Sequence, residues 1–431
     1  MSAPRMLRES DPEELISQVV GDKQAEVADE APDGGLAAWS VVLGAWCALF
    51  CSFGWINSIG TFQNYYESDL LKQYSASAIS WIPSLQIFFM YAMGPIPGYV
   101  FDHYGPRNLL IIGSFLHVFG LMMASISTQF YHILLSQGIC SAIGVSLIFQ
   151  PANGVIPGWF DKRRGAAYGI MTSGSSVGGI VFPIMIERLI RSVGFGWALR
   201  AAAFLVLGLL LVANLTIRSR LPPAPQNLGS DALIQPFKAV DMMLLVGGFV
   251  LLTFGIFIPI NFLIVEGIAT GGVSPDLAQY LIPILNAGSL FGRLSAGASA
   301  DFFGPYNVFI GVCFLAGIMI LALWIPTSTT AATIVFAVIF GFASGAYVSL
   351  AAPCVVQISP FQQIGYRLGL VFLFSSIAGL TTSPIAGGIL AANNGSWLQV
   401  KIFAGVLTLA GTTLVLGARL YRTGPKLIAV S

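Results

Sequence analysis

Arg293 lies well inside an apolar stretch of this 431-residue sequence that is long enough to cross a membrane. Arg293 falls within residues 277–299, a segment with no other charged side chain. A cation in the middle of such a segment costs about 2.5–3.5 kcal/mol, so it normally faces a cavity or a partner. Two interpretations follow. Arg293 binds an anionic or strongly polar ligand, or it forms a structural ion pair with Asp301 or Asp102 near the end of the segment.

A short motif occurs twice at a constant spacing. The first copy has the pattern G-x3-D-x2-G-x-R and consists of Gly98, Asp102, Gly105 and Arg107. The second copy places Asp301 at the position equivalent to Asp102 (301 − 102 = 199). Glycines permit a tight turn between packed helices, and an aspartate there can cap a helix end or pair with a neighbouring cation. We therefore predict a conformational latch at these residues; the alternative is an ordinary turn with a stray charge.

Amide and hydroxyl side chains inside the apolar stretches are further candidates for ligand contact. They are Asn57, Gln86, Gln150, Asn153, Asn261, Asn286 and Tyr347. Each could instead form a hydrogen bond between helices, which is the common role of such residues. The segment from Gln150 to Asn153 is the most favourable, because Pro151 between the two amides leaves backbone carbonyls free. The predicted substrate-binding set is Arg293, Asn57, Gln150, Asn153, Asn286 and Tyr347.

Motifs of catalysis are absent from the sequence. It contains no Ser/His/Asp spacing, no H-E-x-x-H, no P-loop and no paired carboxylates within an apolar stretch. The five cysteines lie in apolar segments without a C-x-x-C pair, and the three histidines are scattered. We expect no enzymatic activity, no metal and no cofactor. Without a P-loop, the energy for any transport would come from a gradient rather than from ATP.

The elements that would position these residues are membrane-spanning helices. The chain is 56% hydrophobic and 9% charged, and its mean hydropathy is +0.81. Soluble domains carry about a quarter charged residues, so the composition excludes an ordinary globular fold. Twelve apolar runs approach the roughly 20 residues that a span needs. They are residues 38–60, 78–100, 108–127, 131–156, 166–187, 197–217, 242–265, 277–299, 306–325, 330–354, 367–391 and 398–420.

The chain divides into two halves with polar segments around them. Residues 1–35 hold three basic and nine acidic side chains (3 − 9 = −6) and predict a disordered acidic tail without a signal peptide. Residues 36–217 and 242–420 form six-helix halves, which are joined by a proline-rich linker at 218–241. A short tail, 421–431, follows. Because the repeated motif comes after the second and the eighth span, the halves are predicted to be parallel copies.

The distribution of Lys and Arg predicts the orientation. With the N-terminus inside, the inner loops and C-terminal tail hold eleven Lys and Arg and the outer loops hold four. This bias places both termini in the cytoplasm. The sequon at Asn394 then falls in an outer loop, making Asn394 a candidate glycosylation site, although the shortness of the loop disfavours modification.

Several segments resemble signatures of the major facilitator superfamily, and in particular its monocarboxylate porter-like family of the fungal type. The motif from Gly98 to Arg107 is similar to the loop signature after the second helix. The segments 33–39, 159–169, 174–179, 194–200 and 286–301 resemble other signatures of that family. The resemblance covers nearly everything from Asp33 onward. It implies an all-α membrane protein of twelve helices in two pseudo-symmetric halves.

The resemblance also implies a role for Arg293, and the sequence departs from the family pattern at two positions. In proton-coupled monocarboxylate porters the arginine at this place binds the substrate carboxylate. Those porters have an acid one turn earlier and a lysine in the first helix, where this sequence has Ser289 and Asn57. The substrate is therefore expected to be a carboxylate, a larger or less acidic metabolite, or one moved without a coupling proton.

The function expected from the sequence is secondary active transport of a small organic solute by alternating access. The alternative is a transporter-like sensor of a metabolite, although sensors of this kind usually carry longer cytoplasmic extensions. The expected partners are a small-molecule substrate, the lipid bilayer and a coupling proton, with no nucleic acid, and the protein is expected to be a monomer. By resemblance the plasma membrane is favoured, and the vacuolar membrane second.

Overall fold

The computed structural model describes residues 31–220, 230–327 and 329–424, and every regular element in these ranges is helical. The predicted acidic tail lies outside the described residues as far as residue 30, and so do residues 221–229 of the linker and 425–431 of the C-terminal tail. The helices are α1 Gly35–Leu70, α2 Trp81–Ala92, α3 Pro95–Tyr104, α4 Arg107–Ser125, α5 Phe130–Gly158, α6 Arg164–Val193, α7 Phe195–Thr216, α8 Ser230–Lys238, α9 Val240–Ala269, α10 Leu281–Phe303, α11 Pro305–Trp324, α12 Thr330–Gln357, α13 Phe361–Ala392 and α14 Leu398–Thr423. Single-turn helices, Ala76–Ile79 and Pro275–Ala278, precede α2 and α10.

Within the described ranges, ten helices are long and apolar enough to cross a membrane. They are α1, α4, α5, α6, α7, α9, α11, α12, α13 and α14. The second predicted span is divided into α2 and α3 by a turn at Met93 and Gly94. The eighth corresponds to α10, which is less apolar because it carries Asn286, Ser289 and Arg293. The count of twelve spans stays a prediction.

The first helix is longer and less regular than the predicted span 38–60. Its α-helical ladder breaks at Ser52, and the helix continues through a turn at Asn57 to Leu70. His117 of α4 satisfies the carbonyl of Cys51 at the break, with Nε2 at 3.1 Å. Its other ring nitrogen, Nδ1, lies 2.9 Å from the hydroxyl of Ser141 on α5. Because a break in a buried helix frees backbone groups that need partners, this histidine stabilises the break in α1.

The two halves meet along two seams of closely packed small residues. On one seam, α3 and α2 of the first half pack against α13 of the second, and on the other α6 packs against α10. A Cβ on Gly297 of α10 would lie 2.5 Å from the carbonyl oxygen of Gly165 on α6. A Cβ on Gly98 of α3 would collide with the carbonyl of Gly365 on α13. Only glycine permits this approach of backbones between helices.

The second half contains a buried ion pair close to one end. Lys401 of α14 lies 2.5 Å from Glu266 of α9, and the two side chains are 5% and 1% exposed. The indole of Trp324 on α11 donates to Glu266 at 3.1 Å, and its backbone carbonyl accepts from Lys401 at 2.8 Å. Lys401 is one of the four Lys and Arg that the sequence places in outer loops, whereas the structure buries it among three helices. The pair ties α9, α11 and α14 together.

A short helix lies in the described part of the predicted linker. This helix, α8, is attached to α13 by the hydroxyl of Tyr366, which donates to the carbonyl of Leu233 at 3.2 Å. Phe237 also packs near Phe374, with ring centroids 6.2 Å apart. Helix α8 of the linker is therefore attached to the first turns of α13.

Candidate transport cavity and latches

A cavity of about 1690 Å³ lies between the two halves. It extends to the end of the bundle at which α6 and α9 finish, which we call the open end. The segment of α1 after its break supplies many lining residues, from Phe53 to Asp69, and α9 supplies others, from Phe257 to Ala269. Ordinary ligand pockets measure about 300–1,000 Å³, so this cavity has room for a bulky molecule.

Charged side chains line the mouth of the cavity and not its depth. Glu67 and Asp69 lie at the end of α1, and Glu187, Arg188 and Arg191 lie near the end of α6. The deeper wall combines apolar and aromatic side chains with uncharged polar groups, among them Asn57, Asn261 and Ser383. A molecule bound deep in this conformation would therefore meet apolar surface and neutral hydrogen-bonding groups.

Five aromatic rings from both halves lie at the inner end of the cavity, and we call them the aromatic floor. They are Phe53, Tyr91, Phe149, Phe257 and Phe372. Tyr91 stacks on Phe372 at 5.2 Å, and Phe149 meets Phe372 edge-on at 5.2 Å. Phe53 and Phe257 also line the cavity. The floor separates the cavity from the opposite end of the bundle.

Asn57 and Asn286, both predicted from the sequence, meet at the interface of the halves. The amide nitrogen of Asn286 lies 3.5 Å from the oxygen of Asn57 and 3.0 Å from the carbonyl of Ile282. A Cβ on Gly179 of α6 would come within 2.6 Å of Asn286, so only glycine leaves room for this amide. Asn57 lines the cavity, and its long contact to Asn286 is a weak bond that a ligand could replace.

Arg293 lies beyond the aromatic floor and is 2% exposed. Its Nη1 donates to the backbone carbonyl of Thr172 at 2.9 Å and to the hydroxyl of Ser175 at 2.5 Å, both on α6. Its Nε donates to Ser289 one turn earlier, at 3.1 Å. The guanidinium carbon lies 5.9 Å from the ring centroid of Phe53. In this conformation neutral oxygens of the other half hold the cation, and the cavity does not reach it.

The two motif aspartates bind backbone N–H groups of the opposite half. Asp102 accepts from Gly365 at 2.9 Å and from Tyr366 at 2.8 Å, at the start of α13. Asp301 accepts from Gly165 at 2.6 Å and from Ala166 at 3.0 Å, at the start of α6. A carboxylate at a helix N-terminus satisfies donors that have no partner within the helix. We call the end of the bundle that holds these contacts the latch end.

Both aspartates lie beyond the ends of the predicted spans, and burial changes their acidity. Burial raises the pKa of Asp102 to about 7, while the N–H groups of Tyr366 and Gly365 oppose the shift. Burial also raises the pKa of Asp301, again against two backbone N–H groups. Loss of solvation thus outweighs the two hydrogen bonds. Asp102 consequently changes its charge near neutral pH.

The remaining residues of the motif shape the turn. Gly105 ends α3 with φ 77°, a left-handed conformation that favours glycine, and Gly98 makes the backbone contact between the halves. Arg107 begins α4 with an exposed side chain. The latch geometry therefore rests on the glycines and the aspartate.

The other predicted residues have different surroundings. The amide of Asn153 donates to the carbonyl of Phe149 at 2.8 Å, within α5. Tyr347 lies inside the second half, 3.4 Å from the hydroxyl of Thr253. Gln150 is 2% exposed, and neither atom of its amide has a hydrogen-bond partner among the described residues. Asn394 is exposed in the turn between α13 and α14.

The sequence predicts no role for Asp33, but the structure gives it one. Its carboxylate accepts from the N–H groups of Asp161 at 2.8 Å and Arg163 at 3.1 Å. Trp39 meets Phe160 edge-on at 5.0 Å. The segments 33–39 and 159–169, which were separate signatures in the sequence, thus form one structure at the latch end. The signal was the acid directly before two glycines.

A helical protein with two halves, a cavity between them and closing contacts on one side has the architecture of a secondary transporter. The family model described as Major Facilitator Superfamily matches residues 44–269 and, in a second match, residues 243–429. The chain belongs to the major facilitator superfamily and is an integral membrane protein.

Curated relatives cover almost the whole chain. The MFS transporter asaE of Aspergillus flavus is 58% identical over 402 residues, which is 93% of this chain and 90% of that protein. The fujikurins efflux protein of Gibberella fujikuroi is 51% identical over 421 residues, 98% of this chain and 90% of that protein. The aspyridones efflux protein apdF of Emericella nidulans is 38% identical over 416 residues, 96% of this chain and 83% of that protein.

Solved structures share the fold at low identity. The proton:xylose symporter XylE superposes with a TM-score of 0.68 and 16% identity, covering 90% of this chain and 96% of that one. FucP in the outward conformation has a TM-score of 0.68 and 14% identity, covering 88% of this chain and 98% of that one.

Proposed function

We propose that this protein is a secondary active exporter of a bulky organic metabolite. The observation that carries the proposal is the cavity of about 1690 Å³ between the halves, open at one end while the Asp102 and Asp301 contacts close the other. One such conformation is half of an alternating-access cycle. The names of the relatives, two of which are efflux proteins for fungal products, support export.

The proposal includes the topology predicted from the sequence. The second and eighth spans complete twelve helices in two halves, and both termini and the latch end are cytoplasmic. The described conformation then faces outward. The plasma membrane is the favoured location, because export from the cell requires it, with the vacuolar membrane second. The protein acts as a monomer, since the cavity is formed by the two halves of one chain.

The substrate is proposed to be largely apolar with a polar or anionic group. The wall beside Asn57 and Asn261 has no charge, and Arg293 lies just beyond the aromatic floor. When the halves separate at the latch end, Arg293 would lose its contacts to Thr172 and Ser175 and attract the polar group. When they close again, these oxygens compete for the guanidinium and favour release. Membership of the monocarboxylate porter-like branch fits the position of Arg293, whereas Ser289 and Asn57 replace the acid and the lysine of its proton-coupled members.

The contacts of the other predicted residues favour different roles. Asn286 shapes the interface with Asn57 through their 3.5 Å contact. Asn153 and Tyr347 bond within their own halves and are proposed to stabilise them.

Mass spectrometry of cells and medium, with the gene deleted and restored, tests the function. An exporter predicts a compound that accumulates inside the deletion strain and decreases in the medium. Restoration with Arg293→Ala should leave the protein folded in the membrane and fail to restore export, while Arg191→Ala at the mouth should restore it. A compound that instead remains in the medium would reverse the direction, and no difference under several growth conditions would favour the sensor.

A further inference from the structure

The amide of Gln150 occupies an unusual position at the interface of the halves. A Cβ on Gly94, between α2 and α3, would lie 2.9 Å from its Nε2 and 2.8 Å from the carbonyl oxygen of Gly369 on α13. Gln150 of α5 therefore lies beside the point at which the backbones of the two halves touch. Its amide belongs to the first half, and the carbonyl across the seam belongs to the second.

Chain direction places Gln150 on the latch side of the aromatic floor. α2 and α3 run from the open end toward Asp102, so Gly94 lies closer to the latch end than Tyr91. α13 runs the other way, so Gly369 lies closer to the latch end than Phe372. The Tyr91–Phe372 stack thus separates the amide of Gln150 from the cavity.

The lack of hydrogen bonds distinguishes Gln150 from its neighbour. Asn153, one turn further along α5, donates to a backbone carbonyl at 2.8 Å. Both amide atoms of Gln150 are buried without a partner among the described residues. A buried amide without partners is unfavourable, and it becomes acceptable when another conformation satisfies it.

We propose that Gln150 contacts the substrate in the conformation that is open at the latch end, and that it recognises an uncharged carbonyl, amide or hydroxyl group. This rests on the proposed alternating-access function. Separation of α3 from α13 removes Gly369 from the front of the amide, which then offers donors and an acceptor without charge. Return of α13 buries the amide and breaks its contact with the substrate. The substrate is then left in the cavity, on the open-end side of the aromatic floor.

Two substitutions on α5 and one on α10 allow the exposure to be measured without a substrate. Gln150→Cys introduces a thiol at the seam, and Ser141→Cys introduces one on the same helix, packed against His117 inside the first half. Gly297→Ala inserts a Cβ 2.5 Å from the carbonyl of Gly165, at the other seam, and so favours opening of the latch end. Any exposure of position 150 then reflects movement of the halves and not a local gap.

The measurement is the rate of reaction with N-ethylmaleimide for purified protein in lipid nanodiscs, corrected for the five native cysteines of the parent chain. Gln150→Cys should react about tenfold faster in the Gly297→Ala background than in the parent, whereas Ser141→Cys should react equally slowly in both. Equal rates for Gln150→Cys in both backgrounds would overturn the proposal. This assay gives a result whether or not the chain exports a compound.

Export of the compound identified by the deletion experiment tests the contact itself. Gln150→Leu should raise the concentration needed for half-maximal export about tenfold. Ser136→Ala, on the same helix, should not, because the hydroxyl of Ser136 bonds to the carbonyl of His132 within α5. Gln150→Leu should also lose the preference for the compound over a derivative that lacks one carbonyl or hydroxyl. Normal affinity and unchanged preference in Gln150→Leu would refute the contact, even where the thiol at position 150 becomes reactive.

Discussion

Replacing Gly297 with alanine should shift this transporter toward the conformation that is open at the latch end. Gly297 faces α6 so closely that an added Cβ would lie 2.5 Å from the carbonyl oxygen of Gly165 and 2.7 Å from the Cα of Gly169. Both are backbone atoms and cannot turn aside, so α10 and α6 must separate by roughly 1 Å to restore ordinary contact. The added Cβ therefore destabilises only the conformation in which α6 and α10 are in contact.

The size of this shift follows from comparing two effects of the added methyl group. Alanine in place of glycine inside a helix gains about 1 kcal/mol, but it gains this in both conformations and leaves their ratio unchanged. Overpacking of a tight contact costs about 1–3 kcal/mol, and here it acts only when the latch end is closed. The equilibrium should therefore move about 5- to 150-fold toward the open latch end.

Pulsed electron spin resonance on nitroxide labels can measure the shift without a substrate. Labels at Asn108 in the first half and Gln362 in the second, both exposed, report the distance across the latch end. Gly297→Ala should add a longer distance, whereas the control Gly311→Ala, where no atom lies within 4 Å of the added Cβ, should not. An unchanged distribution in Gly297→Ala would show that the α6–α10 seam does not govern closure.

Two further predictions concern charge. Burial raises the pKa of Asp102 to about 7 from 3.8, so Asp102 binds a proton more tightly when the latch end is closed than when it is open. Lowering the pH from 8 to 6 should therefore increase the population with the short distance between the two labels. Asp102→Asn should reduce this dependence of the distance distribution on pH. Lys401→Met leaves Glu266 buried without its cation and should lower the free energy of unfolding by about 3–5 kcal/mol. The double variant Lys401→Met with Glu266→Gln should lose much less, because no unpaired charge remains buried. Equal losses for the two variants in a denaturation series would contradict a role for the ion pair.

The sequence by itself determined the class of the protein. Spans of about 20 apolar residues can only be membrane helices, since a backbone in lipid must satisfy its own hydrogen bonds. The repeat that relates Asp102 to Asp301 indicated two parallel halves, because its copies follow equivalent spans. The same reasoning singled out Arg293, as a cation in an apolar segment needs a partner.

Tertiary structure decided which partners these residues have. The sequence could not show that Arg293 bonds to Thr172 and Ser175, because α6 and α10 come together only through packing of the halves. For the same reason it could not separate Gln150, whose amide has no partner among the described residues, from Asn153, whose amide bonds to its own helix. Periodicity places a residue on a helix, but hydrogen bonds between helices depend on the position and rotation of each helix in the bundle.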